Sequence, residues 1–177
     1  MTTGIKFVIL GLLQKGSLSG YDVKRIVDGS TRFFWAASYG QIYPELRRLE
    51  AEGLVTGTSE PHGARARKLY RLTPAGRKAL RAWLRAPAAG MELRNEALLK
   101  LFFADGLPRE ELPGVVAAMR ADSEEVLARL REIQERVRPD PDETSKGLVL
   151  EFGIGFHGWI VNWCRAQEAR LAKGGSK

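Results

Sequence analysis

The stretch from Ser38 to Leu84 constrains this chain most, because its signals come in a fixed order: capped helix, strand, short turn, strand, capped helix. Ser38-Tyr39-Gly40-Gln41 has the form of an N-cap with a capping box, so the spacing predicts a helix from about Tyr39. At about 100° per residue, Ile42, Leu46 and Leu49 share one face, and Gly40, Pro44, Arg47, Arg48 and Ala51 lie broadly opposite. One face is a core stripe and the other is small or cationic. Pro44 sits late for a first turn and predicts an irregular start or a kink. Gly53 supplies a left-handed C-terminal residue. Residues 54–59 then read as a strand, Pro61-His62-Gly63 as a turn and residues 68–72 as the return strand, with Leu69 out of strict alternation. Thr73-Pro74 caps a further helix over residues 75–85.

That order is the order of a winged helix-turn-helix. Upstream, Ile5, Val8, Ile9, Leu12 and Leu13 have helical spacing, and Ser19-Gly20-Tyr21-Asp22 caps a second helix through Val27. The helix after Ser38 is then the one that would enter a DNA groove, with Tyr39, Gln41, Tyr43 and Arg47 as base-reading candidates and Ser38 as cap and phosphate donor. Tyr39 and Tyr43 flank the core face, so partial burial is the competing reading. Arg65, Arg67 and Lys68 put three cations within four positions of the hairpin, with no anion among them, as a phosphate-gripping wing requires. Phe33, Phe34 and Trp35 precede the groove helix and read as core or dimer-facing plugs. Lys24 and Arg25 suit flanking phosphate and a solvated helix face equally well.

Gly40-Gln41-Ile42-Tyr43-Pro44-Glu45-Leu46-Arg47-Arg48-Leu49-Glu50-Ala51-Glu52-Gly53-Leu54, then residues 67–76 and Trp83-Leu84, resemble the PadR family of bacterial transcriptional regulators. Leu10-Gly11-Leu12-Leu13 and Ser19-Gly20-Tyr21-Asp22-Val23 fit the same pattern, as does residues 94–103 for the C-terminal domain of the longer members. The resemblance implies a homodimeric, ligand-responsive regulator of a partly palindromic double-stranded DNA operator, with a small planar apolar effector bound between subunits.

Charge partition agrees without the family. Residues 1–86 hold 15 basic against 6 acidic residues, whereas residues 87–177 hold 13 against 15. The excess is confined to the half with the winged-helix pattern. Ala86-Pro87-Ala88-Ala89-Gly90 is the linker, which gives a DNA-binding domain at 1–86 and an α-helical dimerisation domain at 91–172. The expected fold is mainly α with a small β-wing.

In the second half, residues 94–104 predict a helix on Leu98, Leu99, Leu101 and Phe102. Leu112, Val116, Met119, Ser123, Val126, Leu130, Ile133 and Val137 then alternate spacings of four and three, a coiled-coil seam with one polar break, for packing against a last helix at 146–171 within and between subunits. Trp159 and Trp163 lie four apart on that helix. Core or dimer packing accounts for them more readily than direct effector contact.

Enzymatic signals are thin. Gly153-Ile154-Gly155-Phe156-His157-Gly158 matches a dinucleotide fingerprint literally, but it lacks the strand, second strand and distant acid that a cofactor needs. Two histidines and the single Cys164 make no conventional zinc site, and no nucleophile-elbow, Walker or zincin motif occurs, so no enzyme, cofactor or metal is expected. The lone cysteine and the absence of a signal-peptide pattern or a membrane-length apolar run point to the cytoplasm. A protein-interaction adaptor that keeps the winged fold without specific DNA binding is the alternative of another class.

Overall fold

The computed structural model describes residues 3–31, 35, 39–62, 65–88, 90, 93–136 and 144–174. They fall into two compact units, Met1–Gly90 and Met91–Lys177. The first contains α1 (Thr3–Leu12), a 3-10 turn, β1 (Leu18–Ser19), α2 (Gly20–Gly29), α3 (Tyr39–Ala51), β2 (Val55–His62), β3 (Arg65–Leu72) and α4 (Pro74–Arg85). Its core gathers Ile5, Ile9, Leu10 and Leu13 of the first helical segment, Val23 and Val27 of α2, and Ile42, Leu46 and Leu49 of α3. Val55, Tyr70, Leu72 and Leu80 close it from the sheet and α4. The apolar stripe expected on α3 is the stripe that is buried.

Local chemistry explains the element ends. Ser19 caps α2: its hydroxyl accepts from the Asp22 N–H (3.2 Å), and the Asp22 carboxylate accepts from the Ser19 N–H (2.9 Å). At the end of α3, Gly53 takes φ +68°, while the Leu54 N–H donates to the Leu49 carbonyl and the Gly53 N–H to that of Glu50. Both bonds together form a Schellman motif, which satisfies carbonyls that a helix end would otherwise leave bare. Thr73 caps α4 by accepting from the Gly76 N–H, and its hydroxyl also donates to the Gly53 carbonyl at 2.7 Å. A side chain on Gly76 would overlap the Leu54 carbonyl, so glycine lets α4 start against the end of α3.

The sheet is antiparallel in the order β1-β3-β2. The hairpin is longer than expected. Pro61 and His62, read from sequence as a turn, pair with Ala66 and Arg65 as the end of β2, and β3 begins at Arg65, not Lys68. Proline is tolerated there because β2 is an edge strand and its free side needs no donor. Leu69 faces Ser19 on one side and Thr58 on the other, which accounts for its place in the strand despite broken alternation. α3 runs from Tyr39 to Ala51 with Pro44 inside it, so the proline does not end the helix. Trp35 rests on α1, where its ring takes the space a side chain on Gly4 would need; Phe33 and Phe34 lie outside the described residues.

The second unit holds α5 (Glu96–Phe102), two 3-10 turns, α6 (Leu112–Arg136) and α7 (Thr144–Gly174). Val116, Met119, Ile160 and Cys164 form its centre, with Ala97, Leu101, Trp163 and Leu171 packed around them. Burial pushes the Cys164 thiol pKa up. Arg120 bridges the two long helices, with Nε 2.9 Å from Glu168 and Nη1 2.9 Å from Glu124. The buried line on α6 passes through Val116, Met119, Ser123, Leu127 and Leu130, so the seam turns through Leu127 where a strict heptad placed Val126. A straight helix drifts about 20° per heptad, which moves the buried position by one residue. The Gly153-to-Gly158 stretch lies inside continuous helix, and a Cβ on Gly153 would stand 3.1 Å from Leu130. No helix among the described residues is long and apolar enough to cross a membrane.

Candidate nucleic-acid interface

α3 turns Gly40, Gln41, Tyr43, Pro44, Arg47, Arg48 and Ala51 away from the core. Among the described residues nothing lies within 4 Å of where a Gly40 side chain would begin, which leaves room there for a close partner surface. Tyr43 is half exposed, and its ring covers the α-carbon of Gly20 at the start of α2. Arg47 forms no ion pair among the described residues, while its neighbour Arg48 is engaged. Arg48 holds the buried Glu45 through two bonds, at 2.9 and 2.5 Å, and also meets Glu52, which in turn takes Lys6 of α1 at 3.1 Å. Arg47 is therefore the open cation of the pair and Arg48 a brace. Ser38 lies outside the described residues, as does the side chain of Tyr39.

The hairpin beside α3 carries Arg65 at its tip and Arg67 and Lys68 along its stem; the Arg65 side chain lies outside the described residues. Arg67 donates to the Asp22 carboxylate, which also accepts from the Ser19 N–H and from its hydroxyl at 2.7 Å. Those Ser19 bonds and the Arg67 guanidinium hold the Asp22 carboxyl at about 2, against the opposing effect of burial. Lys68 Nζ lies 2.7 Å from Glu50 and 5.4 Å from the Tyr70 ring centre. The Gly57 N–H donates to the same Glu50 at 3.1 Å, and a side chain on Gly57 would overlap the Lys68 stem. Sequence reading missed both carboxylates, because Asp22 is 45 positions from Arg67 and Glu50 is 18 from Lys68. It also passed over α4, where Arg77, Lys78, Arg81 and Arg85 are all exposed on a helix without an acidic residue.

In the helical unit, Trp159 and Trp163 stack at 6.5 Å between ring centres. Trp163 packs against the core and Trp159 is exposed. Leu148, Phe152, Phe156 and Trp159 fall on one arc of α7 and all face outward, and Leu99, Phe102 and Phe103 are exposed on and just after α5. α7 therefore has a second apolar stripe besides the one that α6 covers.

Two family models match in succession: the transcriptional regulator PadR-like family over residues 9–82, and the virulence activator alpha C-terminal region over residues 93–172. The negative transcriptional regulator PadR of Bacillus subtilis is 39% identical over 109 residues, which span 60% of this chain and 60% of that protein. Its crystal structure with operator DNA superposes with a TM-score of 0.86 at 31% identity, covering 95% of this chain and 99% of that one. The structure of the same regulator with p-coumaric acid gives a TM-score of 0.79 at 31% identity, with 95% and 98% covered. With the winged unit, the helical tail and this near full-length likeness in agreement, the chain belongs to the PadR-like family of transcriptional regulators, which are not enzymes.

Proposed function

We propose that the protein is an effector-responsive repressor that binds a partly palindromic operator as a homodimer, with residues 1–86 on DNA and residues 91–172 joining the subunits. The open face of α3 carries this reading: Gly40 would clear a path to the groove floor, and Gln41, Tyr43 and Arg47, which forms no ion pair among the described residues, would face base edges. From the sequence, Ser38 is the candidate cap and phosphate donor and Tyr39 a further base-reading candidate, and Arg65, Arg67 and Lys68 put basic residues on the wing. The operator-bound Bacillus subtilis relative supports DNA as the partner.

Dimerisation rests on the outward stripe of α7 and the exposed aromatics of α5. A contiguous apolar face of this kind is costly in water and marks an interaction surface. Two winged units tied together in this way would read half-sites one helical turn apart, roughly 34 to 36 Å. A small planar effector, similar to the p-coumaric acid in complex with the relative, would act through the helical unit, with Trp159 and Trp163 the aromatic candidates to meet it. Electrophoretic retardation on random duplex and on the protein's own promoter region, at low and high salt, tests the reading. Salt-sensitive binding to both, tighter on the promoter and relieved by a planar aromatic acid, is the expected result. A chain that retards neither duplex at low salt would instead be a winged-helix adaptor.

A further inference from the structure

The two stem cations of the wing are each held by a carboxylate from elsewhere in the fold. Arg67 meets Asp22, on the first turn of α2, and Lys68 meets Glu50, on the last turn of α3. Neither carboxylate is a casual surface partner. Asp22 is buried and fixed by both the N–H and the hydroxyl of Ser19, so it cannot swing away without undoing the cap of α2. Glu50 is fixed by the Gly57 N–H, and the missing side chain of Gly57 leaves the slot in which Lys68 reaches it. The Arg67 and Lys68 side chains remain over a third exposed, close enough to solvent for a phosphate to compete for them.

We propose that Asp22 and Glu50 are specificity-determining positioning residues, which hold Arg67 and Lys68 back from the phosphate backbone and fix the wing against α2 and α3. This rests on the reading of α3 and the wing as the DNA-contacting surface. A cation already neutralised by a neighbouring carboxylate releases little counterion when it meets a phosphate, so it adds little to the sequence-independent attraction common to all duplexes. Both pairs also tie the hairpin to the helix-turn-helix at fixed points, so the wing and the base-reading face of α3 move as one body. The two carboxylates therefore act in the same direction: they weaken binding to any DNA and leave the geometry that distinguishes one sequence from another. Because Ser19 and Arg67 keep Asp22 ionised far below neutral pH, its restraint is constant under physiological conditions.

The test is a salt titration of the full-length protein on random duplex, comparing wild type with Asp22→Asn and Glu50→Gln, each checked for folding by thermal melt. Asp22→Asn and Glu50→Gln should each bind random duplex several-fold more tightly and steepen the plot of log affinity against log salt by up to about 0.9, the value for one freed cation meeting one phosphate. Tighter binding in the carboxylate variants is a result that mere loss of structure cannot give. Unchanged or shallower slopes in folded Asp22→Asn and Glu50→Gln would overturn the proposal while leaving the DNA reading intact. Should Asp22→Asn fail to fold, Glu50→Gln decides alone, since it lies outside the α2 cap. No binding by wild type at low salt would defeat the DNA reading itself.

Discussion

The ring of Tyr43 occupies the space in front of Gly20: a β-carbon there would stand 2.5 Å from the Tyr43 Cε1 atom. Glycine at the first position of α2 is thus what lets α3 approach with an aromatic side chain that still presents half its surface outward. Gly20→Ala should push Tyr43 off this seat. The expected result is a loss of about 1 to 3 kcal/mol in stability, in the range of an overpacked contact, together with weakened operator binding. Denaturation combined with promoter-fragment retardation checks it, and a stable variant with unaltered binding would show that Tyr43 does not depend on this contact.

Arg47 is the base-reading prediction. Arg47→Ala should cost roughly 1 to 3 kcal/mol on the operator if the guanidinium makes a bidentate guanine contact, and much less on random duplex. Arg48→Ala should behave differently, because Arg48 braces the buried Glu45. Its removal should lower the melting temperature first. Equal losses by Arg47→Ala on both DNAs would reassign that residue to the phosphate backbone.

The cap of α2 carries an acid dependence with a definite sign. Asp22 titrates at about 2 in the folded chain against 3.8 ordinarily, so its contribution is complete above about pH 4 and is lost as pH falls through the interval between these values. A shift of this size corresponds to about 2 kcal/mol. Urea unfolding of wild type and Asp22→Asn should therefore show a gap at pH 6 that has largely closed at pH 2. A gap independent of pH would mean that the carboxylate acts by shape alone.

Assembly can be separated from folding in the helical unit. Phe152 is exposed on α7, so Phe152→Glu should convert dimer to monomer in sedimentation while leaving helical content and melting of the unit nearly unchanged. Leu130, by contrast, is buried within the subunit against Gly153, and Leu130→Asp should unfold the α6–α7 pair. A monomeric wild-type protein, or a Phe152→Glu variant that stays dimeric, would remove the outward stripe of α7 from the interface.

What could be read from the sequence was what local chemistry decides. Ser19, Gly53 and Thr73 mark their helix ends through bonds to residues three to five positions away, and the α3 core stripe follows from helical period alone. The wing's ion pairs were illegible for the opposite reason: the anions that answer Arg67 and Lys68 arrive from α2 and α3 only once the sheet has formed. Pro61 misled because its compatibility with a strand depends on β2 being an edge, a property of sheet order rather than of the residue. The choice between Val126 and Leu127 on α6 depended on helical drift, which a heptad template ignores.

The two-residue strand β1 pairs Leu18 with Tyr70 and Ser19 with Leu69, so the start of the helix-turn-helix is stitched to a strand some fifty positions downstream. In the order in which a ribosome delivers the chain, α1, α2 and α3 all emerge before the strand that completes their sheet. Contacts between distant positions carry the larger loop-closure cost and form late. The start of α2 is thus braced only after residue 72 has emerged, and a nascent chain halted short of it would have α3 without the sheet that fixes the helices before it.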